Sequence, residues 1–214
     1  MQKTFYDNNF VFEMRNFITL LIASLLISCE EEERVLESIE TMVVTNLNAK
    51  TSSQPGQPQT GQFVKFSFSK QSVVEGDDWD VAFRATTILV NGGFSGASDE
   101  PNRIGIGAGY VEVGNYGSIK SVDETLLKQD NETSKAIPVG SGKGWYIYDG
   151  QSHVITPIAG RTLVFKTHNG RYAKIEILSY YKDSPEVPNA YTSEPQYYTF
   201  IYTYQPNEGV TSFD

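Results

Sequence analysis

Five runs of β-branched and aromatic residues in the last third of the chain constrain its fold more than any other feature. They lie at residues 145–149 (WYIYD), 153–157 (HVITP), 162–167 (TLVFKT), 172–181 (YAKIEILSYY) and 197–204 (YYTFIYTY). Such residues pack well on pleated surfaces, and short runs between turn residues indicate antiparallel strands. Asn169 and Gly170 match a two-residue type I′ hairpin turn, because both tolerate a positive φ. We therefore predict an antiparallel meander.

Earlier segments extend the prediction to an all-β fold class, a single antiparallel β-sheet-rich domain with at most one or two short helices. Residues 41–47 and 86–90 are strand-like, and residues 63–68 alternate between apolar and polar side chains. The glycine-rich residues 94–116 are expected to form short extended pieces with bends. A short helix is predicted only at residues 123–129, with Asp123 near its start.

Residues 78–84 (DWDVAFR) also alternate, which predicts a half-buried strand. Trp79, Val81 and Phe83 are expected to face the core. The residues expected on the solvent side are Asp78, Asp80, Ala82 and Arg84.

The N-terminal segment has the pattern of a bacterial lipoprotein signal peptide. Arg15 precedes an apolar run at residues 17–27, and residues 26–29 (LISC) match a lipobox. The run is shorter than the roughly 20 apolar residues that a membrane span needs. We therefore expect Cys29 to become a lipid-modified first residue, with the true start of the signal peptide at Met14.

These features divide the chain into three parts. Residues 1–28 are the predicted signal peptide, residues 29–40 a lipidated acidic tether, and residues 41–214 the β domain. Cys29 is the one cysteine of the sequence, so a monomer can form neither a disulfide nor a cysteine-based zinc site.

The net charge of the chain, −9, argues against two classes of partner. Nucleic acids and anionic membrane surfaces are polyanions and attract basic proteins. We therefore predict no nucleic-acid binding, and attachment to the lipid bilayer through the acyl chains on Cys29.

Three blocks of the sequence resemble the HmuY-like haemophore lipoproteins. They are residues 79–84 (WDVAFR), residues 144–183 (GWYIYDGQSHVITPIAGRTLVFKTHNGRYAKIEILSYYKD) and residues 197–209 (YYTFIYTYQPNEG). The resemblance covers about residues 42–213. It implies an all-β fold and a lipid anchor at the outer membrane, facing the cell exterior. It also implies binding of haem or a related porphyrin and its delivery to a TonB-dependent outer-membrane receptor.

The resemblance also implies a pair of histidine or methionine ligands on facing loops. Haem iron takes one or two axial donors, normally His, Met, Cys or Tyr, in an apolar slot. Residues 122–135 correspond to one ligand loop and contain neither His nor Met. His153 lies near the other ligand position and is our candidate for the iron, alone or with a tyrosine. His168, expected to be exposed at a hairpin tip, is a second candidate.

The aromatic residues before His153 are candidates for the walls of the porphyrin slot. They are Trp145, Tyr146 and Tyr148. Alternating core and surface positions of an ordinary strand would have the same pattern, so both interpretations stay open.

Two other classes of function stay open. The first is a lipoprotein that keeps the scaffold without the usual axial ligands and binds a non-haem ligand or a partner protein, since one fold hosts many functions. The second is an enzyme in which Asp78 and Asp80, about 7 Å apart on one strand face, act as a carboxylate pair. A solvated charged edge is the simpler interpretation of these aspartates, and we predict no enzymatic activity.

Two glycine-rich segments resemble the sequence motifs of nucleotide-binding loops. Residues 105–109 (GIGAG) are not followed by an amphipathic helix, and residues 140–144 (GSGKG) lack the Ser or Thr that should follow Lys143. We interpret neither as a phosphate-binding loop.

Overall fold

Antiparallel strands build the described part of the chain, residues 35–51 and 59–214 of a computed structural model. The strands are β1 (Glu40–Asn48), β2 (Val64–Ser67), β3 (Ser72–Val73), β4 (Val81–Arg84), β5 (Thr87–Val90), β6 (Ala108–Val113), β7 (Tyr146–Asp149), β8 (Val154–Pro157), β9 (Arg161–Lys166), β10 (Tyr172–Tyr181) and β11 (Pro195–Gln205). Single-turn 3-10 helices lie at Tyr116–Ser118 and Glu124–Leu126. The predicted all-β fold class is confirmed.

The strands form three sheets. The largest has the order β1-β11-β10-β9-β6, the second the order β3-β2-β4-β5, and β7 pairs with β8 alone. Strands β9, β10 and β11 are neighbours in sequence and in space, so the predicted meander is confirmed for these three strands. It is wrong for the runs at residues 145–149 and 153–157, because β7 and β8 pair only with each other.

The core lies where side chains of the two larger sheets meet. Phe66 of β2 contacts Phe200 and Tyr202 of β11, with ring centroids 5.7 and 5.8 Å apart and interplanar angles of 85° and 77°. Phe83 of β4 stacks on Phe200 at 5.6 Å. Edge-to-face and offset contacts of this kind add stabilisation beyond the burial of apolar area. The aromatic side chains therefore fix the two sheets against each other.

Strand β4 and the residues before it are buried on both faces, so the prediction of a half-buried strand is wrong. Val81 and Phe83 enter the main core, whereas Ala82 and Trp79 belong to a second apolar cluster with Phe63 and Leu89. The Trp79 Nε1 donates to the backbone oxygen of Asn102 at 3.1 Å. The segment that contains Asn102 thus contacts this second cluster.

The β9–β10 hairpin exists as predicted, but its turn is not type I′. Gly170 has a positive φ of 88°, whereas Asn169 does not. The Gly170 amide donates to the Thr167 carbonyl at 3.1 Å, and the Thr167 amide to the Arg171 carbonyl at 2.8 Å. The connection is therefore longer than two residues, with His168 at its first central position.

Two other local predictions need correction. Of the helix predicted at residues 123–129, only a single 3-10 turn forms, at Glu124–Leu126. The Asp123 carboxylate caps this turn by accepting from the Thr125 amide at 3.0 Å. The glycine-rich segment contains β6, a regular strand paired along its length with β9. Gly109 of β6 is required there, because a Cβ atom would lie 2.9 Å from the Phe165 ring.

The end of the predicted tether contacts the domain. The Glu37 amide donates to Asn207 Oδ1, and Asn207 Nδ2 donates to the Glu37 carbonyl, both at 2.8 Å. The predicted signal peptide at residues 1–28 and the lipidation site Cys29 lie outside the described residues. Within residues 35–51 and 59–214, no helix is long and apolar enough to cross a bilayer.

Candidate functional site

His153 lies in the turn of the β7–β8 hairpin. The Asp149 side chain shapes this turn by accepting from Ser152 Oγ at 2.5 Å and from the Gln151 amide at 3.0 Å. The Ser152 hydrogen bond, together with the backbone amides, holds the pKa of Asp149 below its usual value. His153 follows with φ at 57°, in the left-handed region that few residues adopt. The turn thus carries local strain at the candidate ligand.

The imidazole of His153 is paired with Tyr148. Its Nδ1 atom lies 2.7 Å from the Tyr148 hydroxyl, and the two ring centroids are 6.2 Å apart. Nε2 has no hydrogen-bond partner within the described part of the chain. A partner on one ring nitrogen sets the tautomer and orientation of a histidine and leaves the other nitrogen for a ligand.

A cavity of about 500 Å³ opens beside this pair. We call it the tyrosine cleft; its lining includes Tyr146, Tyr148, His153, Ile155, Tyr180 and Tyr181. Its volume falls within the range of roughly 300–1,000 Å³ that is typical of small-molecule sites. The structure therefore brings three of the sequence candidates, Tyr146, Tyr148 and His153, to one site.

Two tyrosines of the cleft were missed by the sequence analysis. Tyr180 and Tyr181 come from the end of β10, which packs against β8; the Tyr181 hydroxyl accepts from the Ile155 amide at 3.0 Å. Burial, with Tyr181 and Tyr146 nearby, raises the pKa of Tyr180 far above its usual value. The Tyr180 hydroxyl therefore stays protonated at physiological pH, and its uncharged side chain lines the cleft.

Trp145 does not line the cleft. It is 2% exposed, its ring lies 5.0 Å from that of Tyr146 and 5.5 Å from that of Tyr180, and its Nε1 donates to the Thr86 carbonyl at 3.0 Å. The indole therefore supports the two tyrosine walls from behind.

His168 lies elsewhere, and its ring is not exposed as expected. Its Nδ1 atom is 2.7 Å from Asp80 Oδ1, and its side chain is 19% exposed. Asp80 Oδ1 also accepts from the His168 amide at 3.1 Å, and Oδ2 accepts from the Phe68 amide at 2.8 Å. A buried carboxylate needs such donors. His168 is therefore part of a link between the two larger sheets and does not line the tyrosine cleft.

Asp78 and Asp80 do not form a carboxylate pair on an exposed strand face. Both precede β4, Asp80 is buried at 2% exposure, and Asp78 is ion-paired with Lys70 near the surface. The Asp80 carboxylate already accepts from three N–H donors. These two aspartates therefore do not form the exposed carboxylate pair that acid–base catalysis would need.

The fold is all-β, and the β7–β8 hairpin and the end of β10 form an aromatic cleft of a size that fits a small molecule. The model of the HmuY protein family matches residues 59–202, more than half of the sequence. The chain therefore belongs to the HmuY family.

Several solved structures are similar to this chain. A candidate HmuY-like haem-binding protein from Bacteroides vulgatus is 14% identical, with coverage of 81% of this chain and 97% of the other, and a TM-score of 0.46. A candidate lipoprotein from Bacteroides fragilis is 16% identical, with coverages of 79% and 90% and a TM-score of 0.45. The apo HmuY analogue from Tannerella forsythia is 13% identical, with coverages of 80% and 99% and a TM-score of 0.41. No curated protein matches the chain.

Proposed function

We propose that this protein binds haem or a related porphyrin in the tyrosine cleft, with His153 Nε2 as the donor to the iron. The observation that carries the proposal is the hydrogen bond between Tyr148 and His153 Nδ1, which leaves Nε2 available beside an aromatic cavity. Membership of the HmuY family supports the class of ligand.

The residues of the cleft fit one face of a porphyrin. Haem supplies an iron atom that takes one or two axial donors and a flat macrocycle that favours apolar surroundings. Tyr146, Tyr180 and Ile155 provide aromatic and aliphatic walls, and the Tyr148 hydroxyl holds the imidazole in place. A single histidine donor corresponds to five-coordinate iron, or to six-coordinate iron with a tyrosine on the other face.

We further propose a place for the protein in the cell. Lipidation at Cys29 anchors it to the outer membrane, with the domain facing the cell exterior, where it captures haem and delivers it to a TonB-dependent receptor. The lipobox at residues 26–29 and the family membership support this role.

Titration of the purified protein with haemin, followed by absorbance, tests the binding proposal. We expect a saturable, shifted Soret band. His153→Ala should weaken binding by at least about tenfold and move the band, and Tyr148→Phe should weaken it by about tenfold because the ring loses its orienting partner.

The matched control is His168→Asn, which removes the other described histidine but keeps an N–H donor for Asp80. It should leave the haemin affinity unchanged. The absence of a saturable band in the parent protein, or equal losses in the two histidine variants, would contradict the assignment.

The alternative is a cleft that binds a flat apolar ligand without using iron. One observation favours it: within the described residues, neither His168 nor residues 122–135 supply a second His or Met donor to the cleft. Metal-free protoporphyrin separates the two functions. Affinity equal to that of haemin, unchanged in His153→Ala, would establish the alternative.

A further inference from the structure

A second and larger cavity, of about 840 Å³, lies apart from the tyrosine cleft and shares none of its lining residues. Its cationic lining is Lys128, Lys135, Lys143 and Arg161. Its apolar lining includes Val111, Leu126, Pro138 and Val139, of which Leu126 is 42% and Val139 is 45% exposed. We call this cavity the basic cleft.

Two of its lysines, Lys128 and Lys143, have no partner among the described residues, in contrast to the other lysines of that part of the chain. Neither Lys128 nor Lys143 has an ion pair, a side-chain hydrogen bond or a ring contact among the described residues. Every other lysine in residues 35–51 and 59–214 is ion-paired with a carboxylate or donates to a backbone carbonyl. Both lysines without a partner therefore line the same cavity.

Arg161 contributes a guanidinium group to the basic cleft, and backbone carbonyls hold this group in position. Its Nη1 atom donates to the carbonyls of Gly144 and Lys143 at 3.0 and 3.3 Å. Nε and Nη2 have no partner within the described part of the chain. Because the side chain is held by its backbone contacts, little conformational entropy remains to be lost when these donors bind an anion.

The acidic residues of the cleft leave this positive charge uncompensated. Glu100 accepts from Lys135 at 2.6 Å and from Arg103 at 2.8 Å, so its charge is neutralised inside that network. Glu132 is then the one acidic side chain of the lining that opposes Lys128, Lys143 and Arg161. A positively charged cavity in a chain of net charge −9 attracts anions locally, against the repulsion of the whole protein.

We infer that the basic cleft is a binding site for a small organic anion in which an oxyanion group, such as a carboxylate or sulfonate, is attached to an apolar body. The guanidinium and ammonium groups match an oxyanion with charge-assisted hydrogen bonds. The valine, leucine and proline side chains match the apolar body. The inference does not depend on haem binding in the tyrosine cleft.

Two fluorescent probes with similar aromatic bodies test the inference. 8-Anilinonaphthalene-1-sulfonate is anionic, whereas N-phenyl-1-naphthylamine is neutral. The purified protein should bind the anionic probe saturably and at least about tenfold more tightly than the neutral one. Decanoate should displace the anionic probe. Equal affinities for the two probes, or no displacement by decanoate, would overturn the inference.

Paired variants then locate the site. The double substitution Lys128→Gln/Lys143→Gln should weaken binding of the anionic probe by at least about tenfold. Lys70→Gln/Lys120→Gln changes the net charge equally, at exposed lysines away from the cleft, and should have no effect. Equal losses in both double variants would show a general charge effect and refute the site. A loss of anionic-probe binding in His153→Ala would assign the probe to the tyrosine cleft instead and would also overturn the inference.

Discussion

Buried tyrosine hydroxyls in the core differ in whether they have a hydrogen-bond partner. Tyr198 is fully buried, and its hydroxyl donates to the Ala85 carbonyl at 2.7 Å. The hydroxyl of Tyr202 is also buried but has no partner among the described residues. A buried polar group without a partner loses its hydration and gains nothing in return. Two tyrosines on the same strand, β11, are therefore expected to contribute differently to stability.

Removal of these hydroxyls gives the first stability prediction. Tyr202→Phe should leave the free energy of unfolding unchanged or raise it by up to about 1 kcal/mol, because no hydrogen bond is lost. Tyr198→Phe should lower it by about 1–2 kcal/mol, because the Ala85 carbonyl is left without a donor. Urea unfolding monitored by fluorescence measures both. Equal losses in the two variants would show that the Tyr202 hydroxyl has a partner in solution.

At the scale of elements, Asp80 connects the end of β2 to the β9–β10 hairpin. Its carboxylate accepts from the amides of Phe68 and His168 and from the His168 ring, at 2.8, 3.1 and 2.7 Å. These contacts join the four-stranded sheet to a turn of the five-stranded sheet. The buried carboxylate therefore fixes the position of one sheet relative to the other.

Loss of this link should be costly. Asp80→Ala leaves the buried Phe68 amide, the partly buried His168 amide and the imidazole without an acceptor, and we expect the free energy of unfolding to fall by about 3 kcal/mol. Asp80→Asn should lose less, because it keeps one acceptor oxygen. Asp78→Ala, two residues away with a surface ion pair to Lys70, is the control and should leave stability unchanged within error. Thermal and urea unfolding compare the three. A loss in Asp78→Ala as large as that in Asp80→Ala would contradict this account.

The sequence predicts local elements better than contacts between them. The run of β-branched and aromatic residues at 172–181 lies within a single strand, so β10 could be predicted in full. Tyr146, Tyr148 and His153 likewise share one hairpin. The Asp80–His168 contact joins residues far apart in the chain, and no local pattern encodes it. For the same reason Tyr180 was not expected at the cleft. β6 was hidden because Gly109 replaces the usual β-branched residue where the Phe165 ring packs.

At the scale of the whole molecule, buried tyrosines couple folding to pH. Loss of hydration in the fold raises the pKa of Tyr116, Tyr202 and Tyr204 to about 12, and burial also raises the pKa values of Tyr180 and Tyr198 well above the ordinary value. In the unfolded chain a tyrosine has a pKa of about 10. A folded-state pKa above the unfolded value gives stability that is complete below pH 10 and is lost as the pH rises towards 12.

The third stability prediction is therefore a steep alkaline loss of stability. Each tyrosine that stays neutral only in the folded state should add about 1.4 kcal/mol per pH unit to the decline above pH 10. Urea unfolding between pH 8 and pH 11.5, with absorbance at 295 nm to count ionised tyrosines, measures it. Tyr202→Phe removes one such group and should make the decline shallower. A stability that stays constant over this range would contradict the prediction.

The pairing of β1 with β11 affects how the protein reaches its folded state. Glu40 lies opposite Tyr204 and Asn48 opposite Tyr197, so these partners are separated by nearly the whole length of the domain. Contacts between residues so far apart in the chain slow folding, because the entropic cost of closing the loop comes before the contacts stabilise it. The five-stranded sheet can be completed only after its last strand has been synthesised. Until then β1 has no partner strand, and its unpaired backbone groups are open to pairing with other chains. We therefore expect newly made chains to be most prone to association before the last strand has emerged.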